Sequence, residues 1–190
     1  MFRIRDCEHV NAPLERCFRL STHLTLVADV LDMHPVTGDG LRSEGMVAAG
    51  DIVRWQGWKF GLPQLHVSRI SRFEPPGFFQ DVMEQGRFRR FEHDHHFERV
   101  GDHTLMLDYL RFSLPLGLVG RVVGRQIVLP HIVRLLRTRM AMLKRIAEDE
   151  SEWKRYLPHE ASSICLTQPA VRECTSGDLT TQPWEKTLPR

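Results

Sequence analysis

The strongest constraint in this sequence is a run of strand-like segments followed at once by one long helical period. Between Leu41 and Leu114, apolar and polar residues alternate over five or six segments, about 41–48, 51–60, 64–73, 77–85, 87–99 and 104–114. Turn residues separate them: Gly50-Asp51, Gly61-Leu62-Pro63, Glu74-Pro75-Pro76-Gly77, Gln85-Gly86 and Gly101-Asp102. Connections this short imply an antiparallel meander. Over about 117–149 the period changes. Val119, Val122, Val123, Ile127, Ile132, Leu135, Leu136, Met140, Leu143 and Ile146 recur every three or four residues, which predicts a helix. Pro130 is expected to kink or interrupt it near 126–130. Ahead of the meander, residues 2–10 read as a strand. Asn11 is placed to cap a short helix with Pro13 in its first turn and Leu14, Cys17 and Phe18 inward, and Ser21 or Thr22 to cap a second helix over 23–32. A curved sheet followed by one amphipathic helix buries the helix's apolar stripe on its concave face. Strong curvature leaves a cavity between the two.

At 190 residues, one domain is the default, assigned to 1–150. Residues 151–190 are expected to form a polar, mostly disordered tail, with Trp153 and Trp184 able to dock locally. A net charge of +2 gives no ground for expecting nucleic acid. Cys7, Cys17, Cys165 and Cys174 form no CxxC pair, so four reduced thiols in a cytoplasmic protein are expected. No signal peptide is visible, and no apolar run approaches the ~18 residues that cross a bilayer.

The stretch FEHDHHFE (91–98) concentrates three of ten histidines. Alternation puts Phe91, His93, His95 and Phe97 on one face and Glu92, Asp94, His96 and Glu98 on the other. The aromatic ends turn the first set inward and leave His96 at the surface. A turn at Val100–His103 pairs Arg99 with Thr104. Phe97 then faces Met106, His95 faces Asp108, His93 faces Leu110 and Phe91 faces Phe112. A turn at Glu84–Arg87 brings Phe79, Asp81 and Met83 to the same face. A one-residue slip would turn a whole strand inside out, so the agreement of apolar positions fixes this register. His93 and His95 thus meet Asp81 and Asp108 on the concave side, where buried imidazole and carboxylate need each other.

The order of elements, and the segment 78–120, resemble the SRPBCC (START/Bet v1-like) superfamily, in its bacterial polyketide cyclase/dehydrase-like ligand-binding branch. Phe79 and Asp81 match that family's F-x-D. Gly86, Phe88, His93, His95 and Phe97 match its central motif, and Thr104, Met106, Asp108 and Pro115/Gly117 match its end. Arg87, Phe91 and Phe112 depart from the usual proline, tryptophan and tyrosine, and Asp102-His103 interrupts the usual Gly-Thr turn. The resemblance covers about residues 2–147. It implies an α+β helix-grip fold: a curved antiparallel β-sheet wrapped around a long C-terminal helix, with two short helices after the first strand.

The function expected on these grounds is binding, with transport as an extension, of a hydrophobic or amphipathic small molecule such as a lipid, a quinone or a polyketide-like compound. Its candidate contacts are Trp55, His66, Phe79, Asp81, Met83, Phe91, His93, His95, Met106, Asp108, Val133 and Met140. No cofactor and no metal are expected, because His95 already has a carboxylate partner and adjacent same-face residues stand ~6–7 Å apart along a strand. The alternative is a cyclase/dehydratase-like enzyme using His95 and Asp108 as an acid–base pair. Nothing marks a nucleophile: the sequence has no G-x-S-x-G elbow, phosphate loop or H-E-x-x-H. Arg121, Arg125, Arg134, Arg137, Arg139, Lys144 and Arg145 lie in a stretch without acids. They read as a solvated helix face that is also suited to peripheral membrane contact. A third class, an interaction protein, would use this helix and the tail.

Overall fold

The computed structural model describes residues 1–157. Its elements are β1 (Phe2–Val10), α1 (Leu14–Ser21), α2 (Leu24–Leu31), β2 (Met33–Pro35), β3 (Ile52–Lys59), β4 (Leu62–Glu74), β5 (Phe78–Gln85), β6 (Arg90–Val100), β7 (His103–Ser113), α3 (Gly117–Val123), a π-helical turn (Gly124–Val128), α4 (Leu129–Glu148) and α5 (Glu150–Tyr156). The seven strands form one sheet in the order β1-β7-β6-β5-β4-β3-β2, and every neighbouring pair is antiparallel. This is the expected helix grip. The β6–β7 register is the one read from the sequence, with Arg99 on Thr104, Phe97 on Met106, His95 on Asp108, His93 on Leu110 and Phe91 on Phe112. On the other side Asp81 pairs with His93 and Phe79 with His95.

Several local expectations are corrected. Residues 41–48 form no strand, only isolated bridges at Leu41 and Met46. Gly40, Gly45 and Gly50 all adopt positive φ and break the extended run. The edge strand is instead the short β2, whose Met33 pairs with Gly57. A Cβ at Gly57 would meet the Met33 side chain at 2.8 Å. Asn11 does not cap α1: Pro13 holds that position, and the Asn11 amide donates to Glu148 Oε1 at 2.8 Å. His23, not Ser21 or Thr22, stands at the start of α2. The helix over 117–149 is interrupted as expected, by a π turn immediately preceding Leu129-Pro130. Cys7 is disulfide-bonded, against the expectation of four reduced thiols. Cys17 is free and buried, and Cys165 and Cys174 lie outside the described residues. The packed structure also continues past 150. Asp149 caps α5 through its side chain, and Trp153 and Leu157 are buried in the core. Trp184 and the rest of the expected tail, 158–190, lie outside the described residues.

The core has two parts. The larger joins α1, α2, the concave face of the sheet, the second half of α4 and Trp153. The smaller joins Ile4, Leu110 and Phe112 to Ile132 and Leu136 of α4. No described helix is long and apolar enough to cross a membrane.

Candidate functional site

A cavity of about 390 Å³ lies between the concave face of the sheet and α4. Its walls are mostly aliphatic and aromatic: Leu24, Val27, Val30 and Leu31 of α2, Trp55 of β3, Ile70 of β4, Phe79 of β5, Leu110 of β7, and Ile132 and Leu136 of α4. Asp81, His93, His95 and Arg139 are the charged and titratable groups gathered at one wall, with His66 and Ser68 nearby on β4.

Strand alternation delivers three of those groups. His93 and His95 project from the same face of β6, and Asp81 projects from β5 beside them. Asp108 stands behind the two rings on β7, only 2% exposed. The His95 Nδ1–Asp108 Oδ1 distance is 2.8 Å and the His95 Nε2–Asp81 Oδ2 distance is 3.1 Å. His93 Nε2 lies 3.4 Å from Asp108 Oδ2, too poorly aligned for a hydrogen bond. Its Nδ1 lies 3.8 Å from Asp81 Oδ2. Phe79 stacks on His95 at 4.1 Å between ring centroids.

The fifth member comes from α4. Arg139, 8% exposed, donates from Nη1 to Asp108 Oδ2 at 3.0 Å and from Nη2 to the Ser21 carbonyl at 3.5 Å. It therefore belongs to the site and not to the solvated basic face. Its spacing carried the signal: Ile132, Leu136, Arg139, Leu143 and Ile146 are all buried at helical intervals of three or four.

The charges balance. Burial pushes the Asp108 carboxyl upward, but Arg139, with His95 and His93, outweighs it and holds the group well below the usual carboxylate range. Burial also pushes Asp81 up, and the His95 hydrogen bond with the charges of both histidines brings it below its ordinary value. For His95, burial favours the neutral ring. Asp108, opposed by Arg139 and aided by hydrogen bonds to both carboxylates, raises its pKa nonetheless. His93 is lowered by burial and then by its neighbour His95. These directions favour a charged His95 beside the two carboxylates and Arg139, and a neutral His93. Asp81, His93 and His95 also bring one ligand atom each within 4.8 Å of one another. That is a two-histidine, one-carboxylate donor set with Asp108 as its outer carboxylate. A divalent cation held there would replace the proton between His95 and Asp81.

Of the residues expected at the site, the cavity wall contains Trp55, His66, Phe79, Asp81, Phe91, His93 and His95. Asp108 supports the wall from behind. Met106 and Met140 belong instead to the packed core. Phe97 and Met106 lie two pairs beyond His95 and Asp108, where Phe18 packs against Phe97 at 5.4 Å between ring centroids. Val133 packs on the smaller core cluster. Met83 is also off the wall, with its sulfur 2.6 Å from where a Cβ on Gly86 would stand. The lining contributed by α2 was not foreseen. His96 is half-buried rather than a surface residue, lying against Phe78 and Tyr109 at 4.7 and 5.3 Å. Around it the outer face carries its own hydrogen bonds, Gln80 to Asp94 at 2.6 Å and Arg111 to Asp94 at 2.8 Å.

No family model matches the sequence, and no curated protein matches it. Solved structures match in shape. The TTHA0849 protein of Thermus thermophilus is 18% identical, with 84% of this chain and 99% of that one covered and a TM-score of 0.55. A START superfamily protein from Mycobacterium smegmatis is 16% identical, covering 75% and 99%, with a TM-score of 0.50. Ara h 8.0201 is 10% identical, covering 74% and 96%, with a TM-score of 0.51. At these identities the likeness establishes the architecture and assigns no activity.

Proposed function

We propose that this chain, which has the helix-grip architecture of START and Bet v1-like proteins, binds a hydrophobic or amphipathic small molecule in the cavity between sheet and α4. The observation that carries this is the wall itself: a mostly apolar lining in which Asp81, His93, His95 and Arg139 gather as one polar cluster, with Lys59, Arg87, His66 and His131 as its other basic members. That is how pockets take up an apolar body and orient it by one polar end. The polar end of the ligand would meet Asp81 and His93 at that wall. Lipids, quinones and polyketide-like compounds fit this description, and exchange with a membrane suits such a cargo.

Native mass spectrometry of the purified chain, with titration of a fluorescent fatty acid, tests the proposal. One ligand per chain is expected, and Leu136→Trp should block uptake by filling the cavity. A chain that copurifies with nothing and takes up no probe overturns the proposal. The His95–Asp108 contact also supports the second reading, a cyclase/dehydratase-like enzyme. Both His95 nitrogens are engaged, so a substrate would have to displace Asp81 to receive a proton. Turnover of a polyketide-like substrate that disappears in His95→Gln is the outcome that would favour it.

A further inference from the structure

Large apolar side chains exposed by this fold gather at the cavity's mouth. Leu116, Leu118, Val119, Val122 and Ile127, on α3 and its flanks, are between 50% and 77% exposed. Opposite them the β3–β4 hairpin presents Trp58, Phe60 and Leu62, each more than half exposed. The hairpin reaches the long helix: the Phe60 ring lies 4.9 Å from His131 at the start of α4. Phe60, Leu62, Val123 and Val128 also line the cavity.

The exposure is built into the chain. A helix on a soluble surface buries its apolar stripe, whereas α3 buries glycines. A Cβ on Gly120 would stand 1.8 Å from the Pro115 carbonyl oxygen, and one on Gly124 would stand 2.5 Å from the Phe2 ring. With Gly120 pressed on the Leu114-Pro115 connection and Gly124 on Phe2 of β1, Val119 and Val122 point to solvent. At the tip, Phe60 and Gly61 both adopt positive φ, the two-residue turn that closes a tight hairpin. The turn thus places a phenylalanine where glycine or asparagine is usual.

The charge on the helix side of this face has one sign. Arg121, Arg125 and Arg134 are exposed and make no ion pair among the described residues. No acid occurs over 117–147. Lys59 adds a cation at the hairpin, where Asp32 pairs with it. An apolar face ringed by unpaired arginines disfavours a second copy of itself, which would oppose like charges. It is complementary to an interface that is apolar inside and anionic outside.

We propose that this face docks on an anionic lipid bilayer. Leu118, Val119, Val122 and the hairpin tip enter the acyl boundary, and Arg121 and Arg125 lie at the phosphate level. The cavity mouth then opens toward the lipid, so cargo passes without crossing water. This passage rests on the ligand-binding proposal above, whereas the docking itself does not.

The test uses the full chain and vesicles of phosphatidylcholine with or without phosphatidylglycerol. Sedimentation should show binding that requires phosphatidylglycerol and weakens in high salt. Val119→Ser/Val122→Ser and Arg121→Gln/Arg125→Gln should each lower partitioning about tenfold while keeping the parent melting temperature and uptake of fluorescent fatty acid from solution. Absence of vesicle binding overturns the proposal, as does binding indifferent to both pairs of substitutions. A dimer in ultracentrifugation that the serine pair abolishes, without vesicle binding, would assign the face to a second copy instead. Vesicle binding without probe uptake would sustain the docking and overturn the ligand reading. Uptake without vesicle binding would do the reverse.

Discussion

Replacing Arg139 with methionine removes the one side chain that ties α4 to the polar cluster. The substitution keeps an unbranched stem of similar reach and deletes the guanidinium, leaving Asp108, 2% exposed, without its arginine partner. Breaking a buried ion pair from one side costs about 3–5 kcal/mol, because the abandoned charge stays desolvated. Asp108 keeps His95 Nδ1 at 2.8 Å and His93 Nε2 at 3.4 Å, so the lower end, about 3 kcal/mol, is expected. For a domain of this size that is a fall of about 6–12 °C in melting temperature. Arg139 also opposes protonation of His95, so its removal should raise the His95 pKa further. Urea denaturation at neutral pH measures the first effect and an imidazole NMR titration the second. Arg137→Met, on the exposed side of the same helix, is the control and should change stability by no more than about 0.5 kcal/mol. If Arg139→Met cost under about 1 kcal/mol and left the His95 titration in place, the balanced buried cluster would not exist as described.

Other outcomes follow from the same geometry. His95→Phe leaves both Asp81 and Asp108 short of a donor, so a loss of about 1–3 kcal/mol and altered fatty-acid affinity are expected. His96→Phe, between Phe78 and Tyr109, should stay within about 0.5 kcal/mol with binding unchanged, as thermal melts with and without probe would show. Because the His95 pKa is raised on folding, its contribution is complete below its unfolded value near 6.5 and is lost as pH rises through the folded pKa. The melting temperature should therefore fall on the alkaline side of that value, and this slope should disappear in His95→Phe. The lowered His93 pKa acts oppositely, removing stability as pH falls below about 6.5, so a His93→Gln series should flatten the acid limb. Gly120→Ala places a methyl group against a backbone carbonyl that cannot yield, costing about 1–3 kcal/mol. Faster amide exchange across 117–123 than elsewhere would show that α3 lifts away locally.

The β6–β7 pairing was legible because one tight turn and strict alternation agree on it: Phe91, His93, His95 and Phe97 have inward partners in no other register. From that register the four-residue cluster could be written down with its partners. Arg139 escaped notice because six other cations share its stretch of helix, and composition alone cannot separate the one that falls on the buried stripe. The contribution of α2 to the cavity wall escaped because an apolar eight-residue helix does not announce which face meets a sheet distant in sequence. The inversion of α3 escaped for a related reason. Its valines have helical spacing, but the deciding contacts are those of Gly120 and Gly124, which add no hydrophobic signal.

The π turn at Gly124–Val128 sets the rotational phase of the helix. An α-helix advances about 100° per residue, and one π turn takes up one residue more than an α turn. The turn therefore acts as a single-residue insertion that resets α3 against α4 by roughly a quarter of a revolution. In phase with it, Gly124 and Gly120 come round to the side that Ile132 and Leu136 occupy further along. A uniform α pitch through the same residues would instead swing Arg121 and Arg125 toward the sheet. The π turn thus decides whether the first turns of this helix present glycine or valine to the outside.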